Sequence, residues 1–250
     1  MRYFAASDTG QKRSENQDAF CVFEIDDAVI GIIADGMGGH KGGSTASRMA
    51  RDCVKNRLAT AYRSDLRETE LMQLLKESYL EANNTIFFDS IKNESLYGMG
   101  TTLTTALIRQ GRVLVIHIGD SRGYLIERGT IRQLTRDQTY VQQLLDTGEI
   151  TPQQAENHPQ RHVIMQAVGV GTSIQPELLC EDYTGGSVLL CSDGLSNMVS
   201  DAEILSVVDS FDDPKKKVAA LIDRANAAGG LDNISAVLID DFEMGGGKSV

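Results

Sequence analysis

Thr102-Leu103-Thr104-Thr105-Ala106-Leu107-Ile108 leads through Arg109-Gln110-Gly111 into Arg112-Val113-Leu114-Val115-Ile116-His117-Ile118, and then through Gly119-Asp120-Ser121-Arg122 into Gly123-Tyr124-Leu125-Ile126. These three β-rich runs are separated by short Gly-bearing turns, and connections that short join only antiparallel neighbours. Similar runs lie upstream at about 2–7, 19–25 and 29–34, and downstream at about 163–167, 176–182, 187–192 and 234–239. Between them the period changes to that of helices. Ala46, Met49, Ala50, Cys53 and Val54 share one face of a helix starting near Ser44, and Leu71, Leu74, Leu75, Tyr79, Ala82 and Ile86 share one face of the next. Further helical segments fall at about 139–146, after Thr151-Pro152, at 201–209 and at 214–228. Thr151 is placed to cap its helix and Pro152 to take the first helical position. Strands cluster and helices come in pairs without βαβ alternation, so the expected class is α+β, antiparallel sheets covered by helices.

Composition narrows the function. The 250 residues include 24 Lys+Arg against 35 Asp+Glu, a formal net charge of −11, which repels phosphate backbones and argues against nucleic-acid binding. Basic residues are dispersed; the one run, Lys215-Lys216-Lys217, reads as a solvated helix start. Met1-Arg2-Tyr3-Phe4 is followed by Asp8, Lys12 and Arg13, which leaves no targeting segment, and no stretch approaches the roughly 20 apolar residues of a membrane span. Cys21, Cys53, Cys180 and Cys191 lack C-x-x-C spacing and sit in apolar surroundings, as buried thiols in a reducing compartment do. The expectation is a cytoplasmic monomer. No linker or repeat divides the chain, so 1–242 is expected to be one domain, with 243–250, including Gly245-Gly246-Gly247-Lys248, a loose tail.

Aspartates recur where strands end. Ile33-Ala34-Asp35-Gly36, Ile118-Gly119-Asp120-Ser121 and Leu190-Cys191-Ser192-Asp193-Gly194 each close an apolar run, and Asp232-Asn233 stands just before the last one. Singly, Asp-Gly after a strand is turn chemistry. Together, carboxylates at the ends of several buried strands repel one another unless a cation neutralises them. An all-carboxylate set suits Mg²⁺ or Mn²⁺ better than zinc, and His40, His117, His158 and His162 form no ligand pair. Two such ions activate water for in-line displacement at phosphorus. Arg13, in Arg13-Ser14-Glu15-Asn16-Gln17-Asp18, brings the guanidinium suited to bidentate phosphate contact.

These segments resemble a family. Arg13 to Asp18, Ala34-Asp35-Gly36-Met37-Gly38-Gly39-His40, Ile118 to Arg122, His158-Pro159-Gln160-Arg161, Cys191-Ser192-Asp193-Gly194-Leu195 and Gly230-Leu231-Asp232-Asn233-Ile234-Ser235 are similar, in order, to the motifs of the metal-dependent PP2C-type (PPM) serine/threonine phosphatases, most of all the compact bacterial branch. The resemblance implies a β-sandwich of two antiparallel sheets flanked by helix pairs, a four-layer α-β-β-α fold, with two Mg²⁺ or Mn²⁺ ions at one end. Asp35 would bridge them, with the Gly36 carbonyl on one ion and Asp193 and Asp232 on the other, and Asn233 supporting its neighbour. Asp18 matches the aspartate that holds metal-bound water, and Asp120 with Asp193 matches a weaker third metal position. Arg13 matches the phosphate-binding arginine, and about 146–171 the flap beside the site. The implied activity is hydrolysis of phosphoserine and phosphothreonine in proteins by direct attack of metal-bound hydroxide, which in turn implies an opposing Ser/Thr kinase.

Two positions depart from the family. Animal members carry a histidine, a proposed general acid, where this chain has Met37; His40 or a metal-bound water is left to protonate the leaving alkoxide. Gln17 stands where many relatives have Glu. Other chemistries fit poorly. Gly119-Asp120-Ser121-Arg122-Gly123 matches G-x-S-x-G, but the residues after it read as a strand where a serine-hydrolase elbow needs a helix. No cysteine is followed six residues later by Arg, as a cysteine phosphatase requires, and Gly38 to Ser44 lacks P-loop spacing. The alternative of another class is a catalytically silent phosphoprotein-binding adaptor of the same fold. Such relatives usually lose metal aspartates, whereas Asp35, Asp193, Asp232 and Arg13 are all present.

Overall fold

Residues 29–34 are apolar on both faces of one strand, a pattern that needs cover on each side. A computed structural model supplies that cover. It describes residues 1–127 and 129–241, so the tail expected at 243–250 and the side chains of residues 39–41 lie outside the described residues. In chain order the strands are β1 (Arg2–Asp8), β2 (Asp18–Ile25), β3 (Ala28–Met37), β4 (Gly100–Thr101), β5 (Leu103–Arg109), β6 (Arg112–Ile118), β7 (Arg122–Glu127), β8 (Thr130–Gln133), β9 (Glu177–Asp182), β10 (Gly186–Cys191) and β11 (Ile234–Asp241). The helices are α1 (Gly39–Ala61), α2 (Glu68–Lys92), α3 (Tyr140–Asp146), α4 (Pro152–Glu156), α5 (Asp193–Ser196), α6 (Asp201–Ser210) and α7 (Pro214–Ala227).

One sheet runs β1-β11-β10-β7-β8 and the other β2-β3-β5-β6-β9, with β4 added beside the end of β3. The named pairs are antiparallel, including β5 with β6. On β3, Ile30, Ile32 and Ala34 face α1 and α2, packing with Ala46, Val54, Leu75 and Tyr79. Val29 and Ile33 face the other way, into a core between the sheets with Val115, Leu190 and Val237. A third core, including Val208, Leu221 and Leu238, joins α6 and α7 to the first sheet. The result is the four-layer α-β-β-α sandwich.

Local rules account for most elements. Thr151 accepts a hydrogen bond from the Gln154 amide, with Pro152 in the first turn. Ser200 and Glu203 form the same reciprocal cap on α6. Helix α1 starts at Gly39, not near Ser44, because Gly38 at φ 110° turns the chain directly out of β3. The strand expected at 163–167 is absent: Ile164 makes one bridge to Thr139 and Val168 one to Thr101. Pairing stops there because the chain turns into α3 at Tyr140, with Thr139 as its cap, accepting from the Gln142 amide at 3.2 Å.

Two expectations about polar groups change. Of the four free cysteines only Cys191 is buried; Cys21, Cys53 and Cys180 are partly exposed. The Lys215–Lys217 run is not wholly solvated, since Lys217 is 1% exposed and its Nζ lies 2.9 Å from Asp240 Oδ2. Three consecutive residues sweep most of a helical turn, so one of them falls on the face that carries Val218 and Leu221. Among the described residues, no helix is long and apolar enough to cross a membrane.

Candidate metal centre

Strand register brings the aspartates together. Asp18 opens β2 directly opposite Asp35 near the end of β3. Ile33 pairs with Thr104, and Leu103 with Ile118, which carries that edge across to the turn bearing Asp120. In the other sheet Cys191 pairs with both Arg122 and Ala236, so Asp193, just after β10, and Asp232, just before β11, leave at the same end of the sandwich. There an open cleft of about 1270 Å³ is lined by Arg13, Asp35, Gly36, Asp120, Asp193 and Asp232.

Glycine is obligatory at Gly36: a Cβ there would lie 2.1 Å from the Gly43 carbonyl oxygen and 2.6 Å from that of Gln17. Asp35 is held by its backbone, its amide donating to Thr102 Oγ1 at 2.9 Å and its carbonyl accepting from the Thr102 amide and Thr101 Oγ1. Asp18 Oδ2 accepts from Ser235 Oγ at 2.6 Å and Ser192 Oγ at 2.8 Å. Asn233 is a junction: its Oδ1 accepts from the Gln17 amide, and its Nδ2 donates to the Thr9 and Glu15 carbonyls. Its backbone amide donates to Asp232 Oδ1, while Arg13 Nη2 donates to Asp232 Oδ2 at 2.7 Å.

Crowding shifts these acids upward. Burial, then the charges of Asp193 and Asp232, push Asp18 to about 7 against the pull of its two serine hydroxyls. Burial first, then Asp18, Asp193, Asp120 and Asp232, hold Asp35 well above the usual carboxylate range. Burial and then Asp193 and Asp137 raise Asp120 to about 7, and burial and then Asp232 raise Asp193. Asp18 Oδ1 and Asp193 Oδ1 are buried and make no hydrogen bond among the described residues. Unpaired carboxylate oxygens in a mutually repelling, all-oxygen set fit hard divalent cations. Among the described residues no three acidic, His or Cys side chains close to coordination spacing. Asp232 turns to Arg13 while Asp193 accepts from Asn197.

Several residues here carried no signal of their own in the sequence. Ser192, Ser235 and Thr102 hold the aspartates, yet serines and threonines in strands are common. Arg161 and His162 of the 146–171 segment line the cleft. His117 is buried with Nδ1 2.8 Å from Thr104 Oγ1, and burial lowers it to about 4. The backbone of His40 lies in α1, but its side chain is outside the described residues.

Known proteins resemble this chain in sequence and fold. The sequence model for the family described as Protein phosphatase 2C matches residues 9–234. The serine/threonine phosphatase Stp of Listeria welshimeri is 38% identical over 248 residues, 97% of this chain and 96% of that protein. The crystal structure of the Mycobacterium tuberculosis serine/threonine phosphatase PstP/Ppp superposes with a TM-score of 0.85 at 38% identity, covering 96% of this chain and 97% of the other. The PstP catalytic domain in complex with two manganese ions gives a TM-score of 0.81 at 35% identity, covering 96% and 97%. The chain belongs to the protein phosphatase 2C family. Within it, the similarity is to bacterial serine/threonine phosphatases, over nearly the whole of either chain.

Proposed function

We propose that this serine/threonine protein phosphatase hydrolyses phosphoserine and phosphothreonine by direct attack of water at phosphorus, and that Asp35, the Gly36 carbonyl, Asp193 and Asp232 hold two divalent cations. Mg²⁺ or Mn²⁺ bound there supplies an activated water and positive charge facing the phosphoryl oxygens. The observation that carries this assignment is the pair of buried, unpartnered oxygens, Asp18 Oδ1 and Asp193 Oδ1, within a cluster of acids held above their usual range.

Each residue's task follows from its partners. Two serine hydroxyls anchor Oδ2 of Asp18 and leave Oδ1 to orient the attacking water and take up its proton. Arg13 stands half exposed at the cleft, aimed by Asp232, where it can grip the phosphoryl group. Asn233 fixes Asp232, and Asp120 facing Asp193 forms a weaker third cation position. His40 is a candidate to protonate the leaving alkoxide. The enzyme would act as a cytoplasmic, monomeric signalling protein opposite a Ser/Thr kinase. The silent adaptor is the weaker reading, because Arg13, Asp35, Asp193 and Asp232 all line the cleft.

The test is an assay on matched phosphoserine, phosphothreonine and phosphotyrosine peptides with Mg²⁺ or Mn²⁺ titration and a chelator. Metal-dependent turnover of the first two is expected. Chelator-resistant turnover, or phosphotyrosine hydrolysis at the same rate, overturns the assignment.

A further inference from the structure

Gln138 lies between the Asp120 turn and the segment that walls the cleft. It is 9% exposed. Its side-chain Oε1 accepts from the Gly119 amide at 3.0 Å, and its own amide donates to the Gly119 carbonyl at 2.7 Å. Both polar groups of the residue before Asp120 are thus held by one neighbour. On the other side, the Gln138 carbonyl accepts from the Met165 amide at 2.8 Å, and the Tyr140 amide donates to the Val163 carbonyl at 2.8 Å. Residues 163–165 end the stretch that puts Ala155, Glu156, Asn157, Arg161, His162 and Ile164 on the cleft wall.

Of the Gln138 side-chain amide, the oxygen is the part that is used. Nε2 is buried and makes no hydrogen bond among the described residues. An apolar side chain of the same length would avoid that unpaired donor but leave the buried Gly119 amide without its acceptor. What the amide provides is the acceptor for Gly119, whose φ of 106° sets the direction in which the chain enters Asp120. Gly119 is also wedged against Thr102, the residue that receives the Asp35 amide: a Cβ on it would lie 2.6 Å from Thr102 Cγ2. The turn therefore has little room to move unless Gln138 moves with it.

We infer that Gln138 is a positioning residue that clamps the Asp120 turn to the cleft-wall segment, so that a divalent cation at Asp120 and the placement of residues 146–165 are energetically coupled. This rests on the proposed cation site at Asp120 and Asp193. Reciprocity follows: whatever orders the wall tightens the cation, and the cation orders the wall to the same degree.

The experiment uses the full chain, with Mn²⁺ as probe, in two readouts that need no turnover. Mn²⁺ binding is followed by electron paramagnetic resonance of the free ion, and trypsin cleavage after exposed Arg161 reports the wall. In the wild type, saturating Mn²⁺ should slow cleavage at Arg161. Gln138→Met keeps the length and removes the acceptor. It should weaken the lowest-affinity Mn²⁺ class by about 10-fold, leave the tighter classes in place and abolish the protection. Gln138→Glu, which keeps the acceptor, should retain protection. Met165→Pro removes the donor on the wall side, at an exposed residue, and should abolish protection even if Gln138→Met does not fold. Wild-type Mn²⁺ affinity and full protection in Gln138→Met, or in Met165→Pro, overturn the inference. If the wild type binds no Mn²⁺ at all, the metal assignment beneath it fails instead.

Discussion

Removing the charge of Asp18 should flatten the pH dependence of the metal-free protein's stability by an amount that the structure sets. In the folded chain Asp18 holds its proton up to about 7, against 3.8 for the free carboxyl. A raised acid makes the folded state bind a proton that the unfolded state has lost, so its stabilisation is full at low pH and disappears as pH rises through the folded value. Between pH 5 and pH 8 that amounts to about 3 kcal/mol, or roughly 6–12 °C in Tm for a chain of this size. His117 works in the opposite sense: burial lowers it to about 4, so stability rises with pH until the unfolded imidazole has lost its proton. That contribution is common to wild type and Asp18→Asn and cancels in the comparison. Loss of the Asp18 charge also relieves Asp35, which acts in the same direction. The assay is urea unfolding by circular dichroism in a chelator at pH 5, 6, 7 and 8. The wild type should lose about 3 kcal/mol relative to Asp18→Asn across the series. With Mn²⁺ the trend should reverse, since binding needs the ionised ligands. Parallel curves for the two proteins in chelator would refute the placement of Asp18 within a repelling cluster.

Asp193→Ala should abolish Mn²⁺-stimulated hydrolysis of a phosphothreonine peptide yet raise the Tm of the chelated protein, because it removes repulsion on Asp35 and Asp18; calorimetry and the peptide assay together check it. Arg13→Ala should raise KM for phosphopeptide by roughly tenfold with a smaller change in kcat in steady-state kinetics, since the proposed phosphate contact would already form in the ground state. Lys217→Met should cost about 3 kcal/mol in urea unfolding, the lower end for a broken buried pair. Asp240 keeps the Ser187 hydroxyl at 3.0 Å and Arg2 at 3.6 Å, which softens the loss.

The legible parts of the fold are those where local chemistry and burial agree. Val29–Ala34 is apolar on both faces and lies between a helix layer and a second sheet. Thr151-Pro152 caps a helix as its side chains dictate. The two-residue β4 and the four-residue β8 and α5 are too short to show a period. Residues 163–167 had strand composition and the right length, but beyond the bridge partner Thr139 the chain turns into α3. Lys217 looked like its neighbours because charge says nothing about direction; its place on the α7 face put it against Asp240.

The candidate site divides along the same line. Sequence alone suggested which residues could do the chemistry: aspartates at strand ends and Arg13 ahead of a strand, with a motif order that pointed to the family and, through it, to Gly36. It could not say which side chains hold those residues in place. Ser192 and Ser235 meet at Asp18 across 174 and 217 residues, and Gln138 reaches Gly119 from the far end of a hairpin. Such contacts depend on antiparallel register, in which one hydrogen-bonding ladder fixes the positions of residues that no local pattern links. Tertiary structure therefore decided the electrostatics: the same aspartates, ordinary acids in an unfolded chain, become a repelling cluster only when two sheets bring their ends to one cleft.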